Sequence, residues 1–236
     1  MKKLSFAFLM FFCIFNLGEN SNILKISADS ITIKDVEIQI YRGIDISMYQ
    51  KKVDWENFDK TISFVICKST EGIYKIDSKF SENWNKIPVI RGAYHFFRPQ
   101  FSGRTQGQLF LETVNFGDGD IRPIIDVEYT GMWKHMNNKK AVGNLIEMID
   151  YIKEKTGIIP IIYTTGAFWE RYVLPYYNSS DHLLWIADFR GNREPKIPKN
   201  YPEWNIWQYS SKGKIKGIKG CVDRNICKDL DALLIK

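Results

Sequence analysis

The chain is poor in the residues that build metal sites. It has three histidines, His95, His135 and His182, far apart, and no His/Cys cluster with ligand spacing. Nothing in the sequence therefore asks for a resident metal or cofactor. Four cysteines in 236 residues exclude a small scaffold stapled by disulfides. No Pro/Gly/Ser-rich linker and no internal repeat divides the chain, which argues against tandem modules. A dense basic stripe is also missing. The 33 Lys and Arg residues read as scattered, solvated surface against 27 acids, not as a nucleic-acid footprint.

The apolar run from Leu4 to Leu17 is too short for a comfortable membrane span. It follows Met1-Lys2-Lys3 and has the length of a secretory h-region. Residues 1–18 therefore read as a signal peptide with an indistinct cleavage site, at Gly18 or near Ser27-Ala28. Cys13 has no small-residue lipidation box before it and reads as a signal residue. The expectation is an exported protein, periplasmic or secreted, with no stable membrane insertion after processing. Loss of residues 1–18 leaves 31 basic against 27 acidic side chains, a net charge of +4. That mild charge favours adsorption to an anionic surface such as a bacterial wall. Residues 19–40 read as a polar leader with one weak strand-like stretch. Residues 41–236 read as one domain.

Aromatic residues make up 14% and hydrophobic residues 44% of the chain, enough for one sizeable core. Strand patterns fall at about 43–47, 63–69, 88–97, 121–129, 158–164, 183–189, 205–210 and 221–226. Helical patterns fall at 54–60, 77–86, 102–114, 138–156 and 166–173. The clearest is 138–156, where Val142, Leu145, Ile146, Ile149 and Ile152 form one apolar stripe, with Gly157 as its stop. Near-continuously apolar strands alternating with helices imply a parallel sheet buried on both faces. Eight strands suggest an α/β fold closed as a modified (β/α) barrel, with about five β/α units followed by a β-rich end.

The segment Ile124-Ile125-Asp126-Val127-Glu128-Tyr129 carries the chemistry. Residues i and i+2 of a strand share a face, which sets Asp126 and Glu128 side by side. Two neighbouring carboxylates on an apolar strand repel and resist desolvation, so one is kept protonated. One acid and one carboxylate are what glycosidic bond cleavage requires. A strand-end acid pair also occurs as a plain solvated terminus, so the surroundings matter. Asp45, Glu71, His95, Tyr163, Asp188 and Gln208 likewise sit at or just after strand C-terminal ends, the face where barrel active sites form. Asp45 and Asp223 would complete a rim of four carboxylates. Tyr94, Phe96, Tyr129, Tyr163, Trp185, Trp207 and Tyr209 offer rings that suit the apolar faces of sugars. Cys67 lies in an apolar strand and reads as a buried thiol. Cys221 and Cys227 bracket Asp223 and are expected to pair, closing a small loop.

The chain is similar to the family 25 glycoside hydrolases, the Chalaropsis-type lysozymes or N-acetylmuramidases. The resemblance rests on Arg42-Gly43-Ile44-Asp45-Ile46-Ser47 with Tyr49-Gln50 and Val53-Asp54-Trp55, on 64–72, on Arg91-Gly92-Ala93-Tyr94-His95-Phe96 and on 123–128. It continues through 160–164, 184–187, Trp207-Gln208-Tyr209-Ser210 and Val222-Asp223-Arg224-Asn225 in family order. It implies hydrolysis of the β-1,4 bond between N-acetylmuramic acid and N-acetylglucosamine, with peptidoglycan glycan strands as partner. It implies Glu128 as proton donor, surrounded by Asp126, Asp45 and Asp223. Tyr94, Phe96, Tyr163, Trp185, Asp188, Gln208 and Tyr209 are the expected substrate contacts, with no cofactor, no nucleic acid and a monomeric enzyme. Asp126 is expected ionised, stabilising the transition state or orienting the N-acetyl group. The alternatives are a hydrolase of chitin-like β-1,4 glycans and an inactive wall-binding protein.

Overall fold

Runs rich in β-branched and aromatic residues make the eight strands that close the barrel, and short polar turns redirect the chain between them. The computed structural model describes residues 26–27, 30–31, 39–191 and 193–236. The expected signal segment lies outside the described residues. Within the expected leader, Ile26–Ser27 pairs antiparallel with Ser30–Ile31, inside a unit, Met1–Ile38, separate from Gln39–Lys236.

The larger unit is built on strands β1 (Tyr41–Ile46), β2 (Phe64–Glu71), β3 (Ile90–Phe96), β4 (Ile124–Asp126), β5 (Ile161–Thr164), β6 (Leu184–Ala187), β7 (Ile206–Gly213) and β8 (Val222–Cys227). Strands β1 to β7 pair in parallel wherever they are neighbours. β8 runs antiparallel to both β7 and β1 and closes the barrel between them. The first part is therefore the expected β/α alternation and the end is all strand. Helices α1 (Phe80–Trp84), α2 (Gly103–Thr113) and α3 (Asn138–Thr156) cover the outside. A helical turn, Gly166–Phe168, passes into a π-turn at Trp169–Val173. Among the described residues no helix is long and apolar enough to cross a membrane.

Strand alternation gives the barrel two apolar faces. Phe64, Ile66, Ile124, Ile161, Trp185 and Ile206 fill the inside. Ile44, Val65, Ile125, Ile162 and Ile186 face outward to the helices. In α3 the expected stripe is buried, with Ile146 at its edge. Ser102 and Asn137 cap α2 and α3 by accepting from the Thr105 and Lys140 N–H groups. Gly157 ends α3 in the left-handed region, φ 72°.

α2 and α3 approach so closely at Gly103 that a Cβ there would lie 1.8 Å from the Asn144 carbonyl oxygen and 2.5 Å from the Met148 nitrogen. Both obstacles are backbone. Gly103→Ala must push the helices apart, at about 1–3 kcal/mol or more. In a domain of this size that lowers Tm by roughly 2–12 °C. A thermal melt within a degree of the parent would show that the helix pair relaxes freely.

Three expectations change. The 54–60 segment forms no helix. Asp54 accepts from the Asn57 N–H and side chain, and Asp59 from the Thr61 N–H and hydroxyl, so local side-chain bonds hold turns instead. The 121–129 strand is shortened to Ile124–Asp126; Pro123, without an N–H, precedes it. The disulfide is absent: Cys67, Cys221 and Cys227 are all free. Cys221 and Cys227 flank an extended strand, which separates them by about 20 Å, far beyond the ~7 Å bridging limit. Cys67 is buried as expected, and burial pushes its thiol far up.

Candidate active site

Inward-facing residues at the C-terminal ends of the parallel strands converge on one another. Asp45 on β1 lies directly opposite Asp223 on β8 in the antiparallel register. The reversal of β8 is what brings its beginning, not its end, to this rim. Asp45 is buried, and its Oδ2 accepts from Gln208 Nε2 and Asn225 Nδ2, both at 2.8 Å. Tyr163 donates its hydroxyl to Gln208 Oε1 at 2.9 Å, and Trp185 donates its indole N–H to Asn225 Oδ1 at 2.8 Å. Strands β1, β5, β6, β7 and β8 are thus tied by one chain of hydrogen bonds. Burial, then the charge of Asp223, raises Asp45 to about 7. Asp223 is also raised, chiefly by burial.

Asp126 ends β4 with 6% of its surface exposed. Its Oδ1 is buried and has no hydrogen-bond partner. Burial, reinforced by Glu128, holds its carboxyl well above the ordinary range. Val127 points outward and its N–H bonds the Tyr163 carbonyl at 2.9 Å. Glu128 follows, half-buried, beyond the strand. Its backbone carbonyl accepts from the Trp133 indole at 3.1 Å, which fixes the turn. Burial raises Glu128 too, Lys68 and Arg98 oppose the rise, and Asp223 adds to it. Both carboxyls are thus raised chiefly by burial, and Asp126 is the more deeply buried of the two.

Aromatic rings line the same space. Trp185 meets Tyr163 edge-on at 4.6 Å and Tyr94 at 6.3 Å. Phe96 sits between two cations, Lys68 Nζ at 4.5 Å and the Arg98 guanidinium at 4.8 Å. Glu71 holds both of those cations and Lys75, the Lys68 contact being 2.6 Å. Burial opposes ionisation of Glu71, but Lys68 and Arg98 outweigh it and bring its carboxyl down to about 2. Tyr49, Tyr74, Tyr129 and Phe189 stand more than two-fifths exposed on the loops after β1, β2, β4 and β6.

Asp45, Asp126, Glu128, Asp223, Tyr94, Phe96, Tyr163, Trp185 and Gln208 therefore share one end of the barrel. Others do not join them. His95 points outward, bonded to Thr70 Oγ1 at 2.8 Å and Gln106 Oε1 at 3.1 Å, and burial lowers it to about 4. The Asp188 carboxylate accepts from Arg190 and from the Lys196 N–H, holding its own loop; those bonds bring it to about 2. Gln208 faces inward, so Tyr209 and Trp207 on either side face outward, 6.1 Å apart, along a groove that includes Ile226. Sequence reasoning missed Lys68, Arg98 and Asn225. The alternation Phe64, Ile66, Lys68 places that lysine on the inner face, and Asn225 lies two residues after Asp223, so both signals were present. Among the described residues no group of His, Cys, Asp and Glu is placed to hold a metal.

The family model described as "Glycosyl hydrolases family 25" matches residues 44–218. YegX of Escherichia coli K12 is 34% identical over 194 residues, covering 78% of this chain and 68% of that one. Lysozyme M1 of Streptomyces globisporus is 30% identical over 209 residues, covering 84% and 71%. The crystal structure of the bacterial lysozyme from Streptomyces coelicolor superposes with a TM-score of 0.75 at 29% identity, over 81% of this chain and 94% of that one.

Proposed function

The chain belongs to glycosyl hydrolase family 25, and on that premise we propose how its buried carboxylates act. The enzyme is a lysozyme-type muramidase acting on peptidoglycan. It hydrolyses the β-1,4 bond between N-acetylmuramic acid and N-acetylglucosamine. In the mechanism we favour, Glu128 donates its proton to the leaving glycosidic oxygen as the C–O bond breaks. Asp126 accepts the N–H of the N-acetyl group, aiming its carbonyl oxygen at the anomeric carbon. That oxygen closes a ring, water then opens it, and the Glu128 carboxylate takes the water's proton. Configuration at the anomeric carbon is retained.

The observation that carries this reading is the unpartnered, buried Asp126 Oδ1 beside a half-buried Glu128. An amide N–H is the donor that oxygen lacks. A hydrogen bond to the ionised form favours it, so substrate binding favours Asp126 as the carboxylate and leaves Glu128 to carry the proton. Asp45, Asp223, Gln208 and Asn225 hold the far side, Tyr94, Phe96 and Tyr163 contact the sugars, and Trp185, expected to join them, is buried behind Tyr94 and Tyr163. All four carboxylates come from one chain, which supports action as a monomer. The Lys2-Lys3 and Leu4–Leu17 pattern supports export to where peptidoglycan lies.

Digestion of purified peptidoglycan followed by borohydride reduction should yield muramitol at the new ends. Reduced glucosamine as the main product would make the enzyme a glucosaminidase and defeat the reading.

A further inference from the structure

The lysines that looked scattered in sequence are gathered on one surface. The end of β7 contributes Lys212, the β7–β8 connection Lys214, Lys216 and Lys219, and the β1–β2 loop Lys51 and Lys52; all six are exposed. Gly213 and Ile215 are buried between the first three lysines, and Ile218 is buried before the fourth. The alternation therefore turns one side of the hairpin into the barrel and the lysines outward. The two loops are joined. The Asp54 N–H donates to the Gly217 carbonyl at 2.8 Å, Val53 bridges Ile218, and Gln50 Nε2 donates to the Cys221 carbonyl at 3.3 Å. Gly217, at φ 90°, admits this approach, since a Cβ there would lie 2.6 Å from the Asp54 carbonyl oxygen.

Among the described residues none of the six lysines forms an ion pair within 4 Å. The acids of the same loop, Asp54, Glu56 and Asp59, are fewer than the six lysines and leave the face with an excess of positive charge. Asp54 and Asp59 are held ionised by bonds from Asn57 and Thr61, with smaller help from the charges of Lys52 and Lys216 respectively. Lys51, Lys52 and Lys219 border a groove of about 760 Å³ that also takes in Trp55, Glu56 and Lys86. Unpaired like charges repel one another. A cluster held at that cost on two joined loops suits a ligand with repeating negative charge.

We propose that this face binds a phosphodiester-linked polyol polymer of the cell wall, separately from the glycan groove. Successive outward lysines at alternate residues match a regularly repeating anion better than one carboxylate. The inference rests on the muramidase reading only for its setting in the wall, and its test is independent of cleavage.

The test uses the full chain carrying Glu128→Gln, mixed with purified walls at about 0.15 M salt and sedimented. The charge-reversed variant K212E/K214E/K216E/K219E should bind at least tenfold more weakly. Walls stripped of phosphodiester polymer by hydrofluoric acid should bind the parent no better than they bind the variant. In the active background, the same four changes should leave cleavage of short soluble glycan fragments unaltered. The four Lys→Gln changes, which remove charge without reversing it, should give an intermediate loss. Equal sedimentation of parent and variant with intact walls, binding of the parent to stripped walls as tight as to intact walls, or tighter binding to duplex DNA or anionic vesicles than to a purified polyol-phosphate polymer would each overturn the proposal. Loss of soluble-fragment cleavage in the parent would instead strike the muramidase mechanism and leave the polymer test standing.

Discussion

Glu128→Gln leaves a folded protein whose clearing of purified walls falls by at least about 10²-fold. The amide keeps the shape of the side chain and cannot give up a proton to the glycosidic oxygen. The half-buried side chain lies beyond β4, and the backbone there is held through the Glu128 carbonyl and Trp133, which the substitution leaves in place. Thermal unfolding should therefore be close to that of the parent. Clearing near the parental rate by a folded Glu128→Gln protein would end the assignment of Glu128 as the acid.

Asp126→Asn should lose activity on a similar scale and gain stability. The loss follows because an amide cannot supply the negative charge that steers the N-acetyl group. The gain follows from proton linkage. The folded state holds Asp126 protonated well above its ordinary range, whereas the unfolded chain releases that proton near pH 4. The parent therefore loses stability as pH rises from about 4 toward the folded pKa, at about 1.4 kcal/mol per pH unit. Asn carries no such dependence. The Tm of Asp126→Asn should exceed that of the parent at pH 7, and the gap should close near pH 3. A gap that widens on acidification would reverse the sign and refute the placement of the proton. Such a trade of stability for reactivity is common at active sites.

Much of this was legible because the local signals were strong. The α3 stripe with its Gly157 stop and the apolar approach to Asp126 need no tertiary context. What the strand-end rule did not decide is which way a side chain points. Asp188, Tyr209 and His95 all lie at the right height, but alternation turns Tyr209 and His95 outward, and Asp188 is taken up by its loop. Conversely Lys68 looked like one of many surface cations, and only barrel closure shows it over Phe96 and beside Glu71. The cysteine pairing failed for a related reason. Spacing in sequence says nothing about distance until the segment between is known to be extended. The lysines of the β7–β8 connection needed the bridge to the β1–β2 loop before they became a patch.

The reversed last strand has a bearing on when the enzyme can work. β8 contributes Asp223 and Asn225, closes the sheet against β1 and is the last barrel strand to leave the ribosome. A nascent chain ending before Val222 has Asp126 and Glu128 in hand, but Asp45 has lost one of its two amide donors and its facing carboxylate, and the barrel has an open seam. Pairing the first strand with the last also makes this among the most non-local contacts in the molecule, so it carries a high cost in loop entropy and forms slowly. The site is in this way held incomplete while the barrel is being synthesised, and it is assembled only when β8 has been delivered.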